Sequence, residues 1–325
     1  MKISWTPSVK NIIAYGYTGL SCKNFLLLAL ILLASANPLF SVDPATSFSG
    51  EQYRILLLHS YNPEYRWTAN ITEGIQKVLG ESGLRIDLKI EYLDTKRFEF
   101  NDLRPILLET LRAKYGGADL SAILCADDNA LLLLMELDEN PFSSVPIVVC
   151  GIDANWSLVQ ANRNRITGVF EQGGSLTGLK LVLRMHPDSR HLVGIFDDSD
   201  EGLLFREGTR EQVRNKLHSR ELIELSSLTI EELIKELGNL PDDSVIYSYR
   251  FKQDRLGRII SDEESVSLIT ENCDFPFYTG WDYYVELGAL GGVVTSGVRQ
   301  GEEGALRLVR ILKGERIEDV EPLEV

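Results

Sequence analysis

Short apolar runs alternate with segments whose apolar positions recur every three or four residues, and the alternation continues along most of the chain. Residues 54–59 form an apolar run of strand length, after which Ile71, Ile75, Val78 and Leu79 recur at helical spacing. The same alternation predicts strands at 86–92, 121–126 and 145–150 and helices at 103–114 and 129–139. A short extended stretch at 167–171 then leads into a second series, with helices at 176–185 and 205–217 and strands at 191–196 and 222–225. Thr229 with Glu232 and Ser261 with Glu264 match capping boxes opening two further helices, one running to 240 and one ending near Cys273. Strands at 245–249, 276–280 and 291–297 and a helix at 302–312 complete the pattern. Strands and helices alternating at this size imply right-handed crossovers and parallel sheets covered on both faces. The expected fold is α/β, two Rossmann-like lobes with parallel sheets.

The first residues break this pattern. Lys2, Lys10 and Lys23 occur among residues 1–24 without an acid, an apolar run follows at 25–34, and Ala34-Ser35-Ala36 closes it with small residues. That order is the mark of an export signal. The run is about half the roughly 20 residues a spanning helix needs, so cleavage is favoured over an uncleaved anchor. Residues 1–36 are therefore read as a signal peptide and 37–52 as a linker, and the expected location is periplasmic or otherwise extracytoplasmic. Cleavage leaves Cys125, Cys150 and Cys273, an odd set with no C-x-x-C pair, so disulfides do not organise the fold.

With 325 residues, the chain is long enough for two domains that each bury a core. Its formal net charge of −15, with no local gathering of Lys or Arg, disfavours nucleic acid as a partner. The acidity says nothing more about a ligand, since a solvated surface accounts for it.

Ligands of open parallel sheets bind beyond the carboxyl ends of the strands, so the loops there are the places to search. The first, His59 to Trp67, has no glycine with which to approach a phosphate, and G-x-x-x-x-G-K-[ST] is absent throughout. No nucleotide cofactor is expected. Tyr61, Tyr65 and Trp67 instead supply rings suited to gripping a small organic molecule, or to packing as a lid on the sheet edge. Asp127, Asp128 and Asn129 follow the third strand; Asp128 or Asn129 is expected to cap the next helix, which leaves Asp127 for a ligand ammonium or hydroxyl. Asp94 after the second strand, with Thr95, Lys96 and Arg97, is open to a ligand in the same way, exposed turn charge being the favoured role. Gly151 and Asp153 follow the next strand, where glycine either admits a ligand or makes the turn. Cys125 and Cys150 end successive strands and read as buried apolar side chains rather than a metal site. In the second series Asp197-Asp198, Tyr249-Arg250 and the cluster Trp281-Asp282-Tyr283-Tyr284 occupy equivalent places. Four histidines, at 59, 186, 191 and 218, assemble no metal-ligand spacing and no triad, so no metal and no catalysis is expected. His186 reads as an exposed loop residue.

Six segments in this order resemble the ABC-transporter substrate-binding-protein family: ILLLHSYNPEYRWTANITEGI at 55–75, EYLDTKR at 91–97, CADDNALL at 125–132, VPIVVCGID at 145–153, TGVFE at 167–171 and YTGWDYYVELGALGGVVTSGVRQGE at 278–302. The likeness runs from about Tyr53 to Glu315 and is greatest to the version serving as the extracytoplasmic sensor domain of bacterial histidine kinases and diguanylate cyclases. It implies a type I periplasmic-binding fold: lobes at 53–166 and 167–296, a helix from near Gly301 packing back at the hinge, and a tail within 297–325. It further implies a small organic ligand, such as an amino acid or related metabolite, held in the cleft between the lobes without catalysis. Carried onto this chain, the cleft residues are His59, Ser60, Tyr61, Trp67, Asp127, Asp128, Gly151 and Asp153 from the first lobe, and Asp198, Tyr249, Trp281 and Tyr283 from the second. Relatives continue beyond the position of Val325, which makes this chain either a short binding protein or an interrupted sensor gene. The implied partner is a membrane permease or, alternatively, a sensor kinase or cyclase, with membrane contact only through the leader. A doubly wound hydrolase is the reading from another class, disfavoured by the scarcity of histidine and the missing phosphate loop.

Overall fold

The computed structural model describes residues 51–325 except 138, 154, 172–173, 217–219 and 249. The expected leader at 1–36, His218 and the site candidate Tyr249 lie outside the described residues. The chain opens with β1 (Gln52–His59), α1 (Arg66–Glu81), β2 (Arg85–Tyr92), α2 (Phe100–Tyr115), β3 (Ala122–Ala126) and α3 (Asp128–Met135). It continues through β4 (Ile147–Ile152), α4 (Trp156–Ala161), β5 (Ile166–Phe170), α5 (Gly174–Met185), β6 (His191–Ile195), α6 (Asp200–Lys216) and β7 (Glu221–Leu225). The remainder is α7 (Ile230–Leu237), β8 (Ser244–Ser248), α8 (Asp262–Asn272), β9 (Phe277–Thr279), α9 (Asp282–Leu287), α10 (Gly297–Leu312) and β10 (Leu323–Glu324).

The strands form two sheets, one of six in the order β10-β5-β4-β3-β1-β2 and one of four in the order β7-β6-β8-β9, and all their pairings are parallel. This is the expected α/β architecture with two parallel-sheet lobes. Central strands β3 and β4 are buried along their whole length, which is why they read as continuous apolar runs rather than alternating ones. Both expected capping boxes form, at Thr229 with Glu232 and at Ser261 with Glu264, satisfying amides at the starts of α7 and α8.

Several boundaries differ from the sequence pattern. The stretch 167–171, expected to open the second lobe, lies largely in β5, which pairs with β4 and β10 in the six-stranded sheet. Rather than a hinge-packing helix, α10 is a layer of the first lobe, laid along α1 and across β4 and β5. The acidic tail supplies that sheet's edge strand, β10. No strand forms at 291–297; single bridges join Tyr278 to Gly291 and Trp281 to Thr295, and Ser296 Oγ accepts the Arg299 N–H to start α10 five residues earlier than expected. Helices α4 and α9 span six residues each, too few to show a period. His186 is half-buried, its Nε2 2.9 Å from the Tyr278 hydroxyl, rather than an exposed loop residue.

The contact between α1 and α10 is backbone against backbone. A Cβ placed on Gly74 would lie 2.1 Å from the Val298 carbonyl oxygen, and one on Gly301 would lie 2.1 Å from that of Ile71. Beside it the buried Gln300 carboxamide accepts the Gly151 N–H at 2.9 Å and donates to the carbonyls of Phe170 at 3.1 Å and Val325 at 3.2 Å. One side chain thereby joins the ends of β4, β5 and β10.

Gly301→Ala tests this crossing. Alanine gains about 1 kcal/mol of helix propensity over glycine, but the added methyl meets backbone that cannot rotate away, and overpacking of this kind costs about 1–3 kcal/mol. We expect a net loss of stability, read as a lower urea midpoint with unchanged slope.

Candidate functional site

Parallel strands end on one side, so the loops after β1, β3 and β4 share an edge of the first lobe, and those after β8 and β9 share an edge of the second. Trp67 stands in the first turn of α1, just beyond the loop after β1. Its Nε1–H donates to Asp127 Oδ1 at 2.7 Å. Asp127 follows β3 with φ 69°, a left-handed conformation rare for a residue with a side chain. Gly151 in β4 completes the floor: a Cβ there would fall 3.0 Å from Asp127 Oδ1 and 3.3 Å from the Trp67 ring, and its φ of 66° suits glycine.

Trp281, just after β9, meets Trp67 edge to face across the lobes, with centroids 5.3 Å apart and planes at 82°. Tyr283 lies 5.8 Å from Trp281, and both are buried. Arg250, two residues past β8 and only 6% exposed, places its guanidinium 4.9 Å from the Trp281 ring centroid and donates from Nη1 to the Tyr65 hydroxyl of the first lobe. Lys252 Nζ is 4.4 Å from the Tyr65 centroid, and Lys96 Nζ, on the loop after β2, is 4.7 Å from that of Tyr61. Farther out, Arg66 pairs with Glu286 and, at 3.7 Å, with Glu263 of the second lobe. Two tryptophans, three tyrosines and four cations, with the acids Asp127, Glu263 and Glu286, thus line the junction of the lobes.

Of the residues carried over by resemblance, Tyr61, Trp67, Asp127, Gly151, Trp281 and Tyr283 lie in this junction. Others are engaged with the scaffold. Ser60 Oγ donates to the Ala126 carbonyl at 2.9 Å and accepts the Ala130 N–H at 2.8 Å. It caps α3 from a neighbouring strand, the task expected of Asp128 or Asn129. Asp128 instead receives the Asn155 backbone N–H at 3.0 Å and its side-chain amide at 2.7 Å, holding the loop after β4. Asp153 and Asp198 are exposed, Asp198 accepting from the Ser227 hydroxyl at 2.7 Å. Its neighbour Asp197 is the buried one, receiving the Lys252 N–H at 2.9 Å. Asp94 pairs with Arg97 as turn charge. Tyr65, Lys96 and Arg250 stand in the strand-end loops that the sequence singles out but were not carried over by the resemblance, and Lys252 and Gln300 were not among the candidates. Arg250 and Lys96 follow strands and were within reach of the same search, whereas Gln300 gave no signal because its partners are distant carbonyls.

His59 is fully buried, stacked on Tyr92 at 5.3 Å, with Nε2 2.9 Å from Thr72 Oγ1. Burial lowers its pKa to about 3, so the ring is neutral at physiological pH. The same cause holds the Tyr283 hydroxyl well above the ordinary phenol range, with Tyr65 of the first lobe adding to the rise and Arg250 of the second opposing it. Cys125 and Cys150 are buried free thiols whose pKa values burial raises. Among the described residues no cluster of His, Cys, Asp or Glu is arranged to hold a metal ion, and no helix is long and apolar enough to cross a membrane.

Fold and junction together define a protein of the type I periplasmic-binding fold. Among solved structures, the chain is similar to the ligand-free, open form of CD0873, a substrate-binding protein with adhesive properties from Clostridium difficile: TM-score 0.60, 17% identity, 83% of this chain and 88% of that one covered. It is also similar to an ABC domain in complex with L-Trp from Streptococcus pneumonia (TM-score 0.56, 15% identity, 85% and 89% covered). A third is a solute-binding protein of an ABC transporter from Rhodopseudomonas palustris BisB5 in complex with 3,4-dihydroxybenzoic acid (TM-score 0.53, 12% identity, 83% of each covered). The lac repressor dimer bound to operator shares the fold at TM-score 0.53 and 10% identity. No family model and no curated sequence matches the chain.

The buried neutral His59 makes stability depend on pH. Its folded pKa is depressed, so its contribution is complete above the unfolded value near 6.5 and is lost as pH falls toward 3, by on the order of 5 kcal/mol over that range. His59→Phe retains the ring on Tyr92 and removes the titration. Urea midpoints between pH 7 and 3 should therefore fall less steeply in the variant than in the wild type.

Proposed function

We propose that this chain is an extracytoplasmic solute-binding protein that closes its lobes on a small organic ligand, of the order of an amino acid or related metabolite, and presents it to an ABC transporter. The observation that carries the reading is the meeting of Trp67 and Trp281 from the strand ends of two separate sheets. A ligand inserted there touches both lobes at once and so binds the closed arrangement more tightly than the open one. That differential affinity is what a permease needs in order to read occupancy as shape. The bound L-Trp and 3,4-dihydroxybenzoic acid of the similar structures support a ligand with a flat ring.

The residues divide the work. Asp127 fixes the Trp67 indole through its N–H, Gly151 leaves room beneath it, and Trp281 with Tyr283 forms the opposing wall. The pair Arg66–Glu286 sits at the outer rim, where a half-exposed ion pair is worth at most about 1 kcal/mol and breaks readily on opening. Catalysis is not part of the proposal: the only histidine among the junction candidates is a neutral packing residue against Tyr92 and Thr72. The transporter is the expected partner, and the membrane is reached through the leader or an anchor.

A thermal-shift screen of amino acids, nucleosides and small organic acids tests the reading, since a ligand at 100 times its dissociation constant adds about 2.7 kcal/mol. A hit should also reduce the radius of gyration in solution scattering. Trp281→Ala should weaken it roughly 10- to 100-fold, the loss of an aromatic wall. Unchanged affinity in both Trp67→Ala and Trp281→Ala would place binding elsewhere.

A further inference from the structure

A sheet edge presents outward N–H and C=O groups on alternate residues, and a long, uncovered edge is a template on which another strand pairs. Three of the four sheet edges in this fold are short: β10 has two residues, β9 three and β7 five. The fourth, β2, runs for eight residues from Arg85 to Tyr92 in unbroken register with β1, and among the described residues no other strand pairs with it. It holds no proline and no bulge, two of the devices that blunt an edge, and none of its eight residues is buried.

The two faces of β2 differ. Ile86, Leu88 and Ile90 pack on the core beneath α1, whereas Glu91 on the opposite face receives Lys114 Nζ at 2.7 Å and the Tyr115 hydroxyl at 2.6 Å from α2. Along that second face the charges alternate in sign, Arg85, Asp87, Lys89, Glu91. Lys89 Nζ lies 2.9 Å from Asp87 Oδ1 within the chain, and the two side chains are still 58% and 32% exposed. A second copy laid antiparallel on this edge can set only odd positions against odd and even against even, because the outward backbone groups fall on every other residue. Centred on Leu88, the pairing puts Arg85 opposite Glu91 and Asp87 opposite Lys89, and on the other face Ile86 opposite Ile90 and Leu88 opposite itself. Centred on Asp87 it would set Arg85 against Lys89 and Asp87 against itself; centred on Lys89 it would set Asp87 against Glu91 and Lys89 against itself. Centres farther out shorten the overlap. Opposite charges facing one another across antiparallel strands are favourable and like charges are not, so one register is selected. Charge on an edge also serves to keep other strands away, but signs that complement their own reversed copy do the opposite. At the end of the strand a cavity of about 590 Å³ opens between α1 and Tyr92, and the same register brings Leu84 of the second copy opposite Tyr92, one of its walls.

We propose that the protein self-associates as a two-fold dimer in which β2 of one copy pairs antiparallel with β2 of a second copy about Leu88, joining the two six-stranded sheets edge to edge. The paired residues all belong to the first lobe and none lies at the junction with the second, so the dimer is independent of the solute-binding reading.

Sedimentation of the full chain over a concentration series tests it, and a monomer–dimer equilibrium that weakens as salt rises is expected. Asp87→Lys sets like charge against Lys89 of the other copy, and Lys89→Asp sets like charge against Asp87. Each should weaken the dimer roughly ten- to hundredfold. Both side chains are partly exposed, so the circular dichroism of each variant should match the wild type. A mixture of the two single variants makes every facing pair opposite in charge again, and it should form a heterodimer with an affinity near that of the wild-type dimer. Independently of any variant, amide exchange at alternate residues of β2 should slow as the concentration of the wild type rises. A chain that stays monomeric at every concentration would overturn the inference and leave the edge to a strand of another protein. A dimer indifferent to both substitutions, a mixture that fails to restore association, or β2 amides whose exchange ignores concentration would overturn it as well.

Discussion

A strand followed by a parallel neighbour cannot turn back on itself, because the chain must return to the starting edge before the next strand can begin. Every connection is therefore a crossover, and every loop that leaves a strand's carboxyl end emerges at the same edge of its sheet. Two such sheets built from one chain bring two sets of loops to a common junction. The pairing of Trp67 with Trp281, the reach of Arg250 to Tyr65 and the ring of cations all follow from that arrangement. In each case the residue lies within a few positions of a strand end or at the start of the helix that follows it.

The two sides of the junction are not built alike. On the first lobe the geometry is rigid: Asp127 is held in a left-handed conformation, its carboxylate is bonded to an indole, and Gly151 is locked beneath it by Gln300. That rigidity extends into α10, whose backbone touches α1 at Gly74 and Gly301, so the second passage of the chain between lobes is anchored to the same helix that carries Trp67. The second lobe contributes Trp281 with Arg250 against its ring and Lys252 over the ring of Tyr65.

The parts of this structure legible in the sequence were those with local causes. Continuous apolar runs announced β1, β3 and β4, and Thr229 with Glu232 and Ser261 with Glu264 announced the starts of α7 and α8, because capping is an interaction over three residues. The rule that ligands sit beyond strand ends led to Tyr61, Trp67, Asp127, Gly151 and Trp281. It also led to Ser60 and Asp128, which hydrogen-bond to the start of α3 and to the loop after β4. From sequence a hydroxyl or carboxylate at a strand end looks the same whether it faces a ligand or a neighbouring helix terminus. Ser60 caps a helix 70 residues away, and nothing within several positions of it reports that.

What the sequence determined by itself was the succession of strands and helices, the parallel sheets that succession requires, and a short roster of rings and acids at their ends. What the tertiary structure alone decided was membership and pairing. β5, α10 and β10 belong to the first lobe although sequence order places them at or beyond the second, and Arg250 and Tyr65, 185 residues apart, face one another. The reason is physical: secondary structure is fixed by contacts over a few residues, whereas the surroundings of a side chain are set by whichever distant segment packs against it, and that partner leaves no period, cap or turn signal in the local sequence.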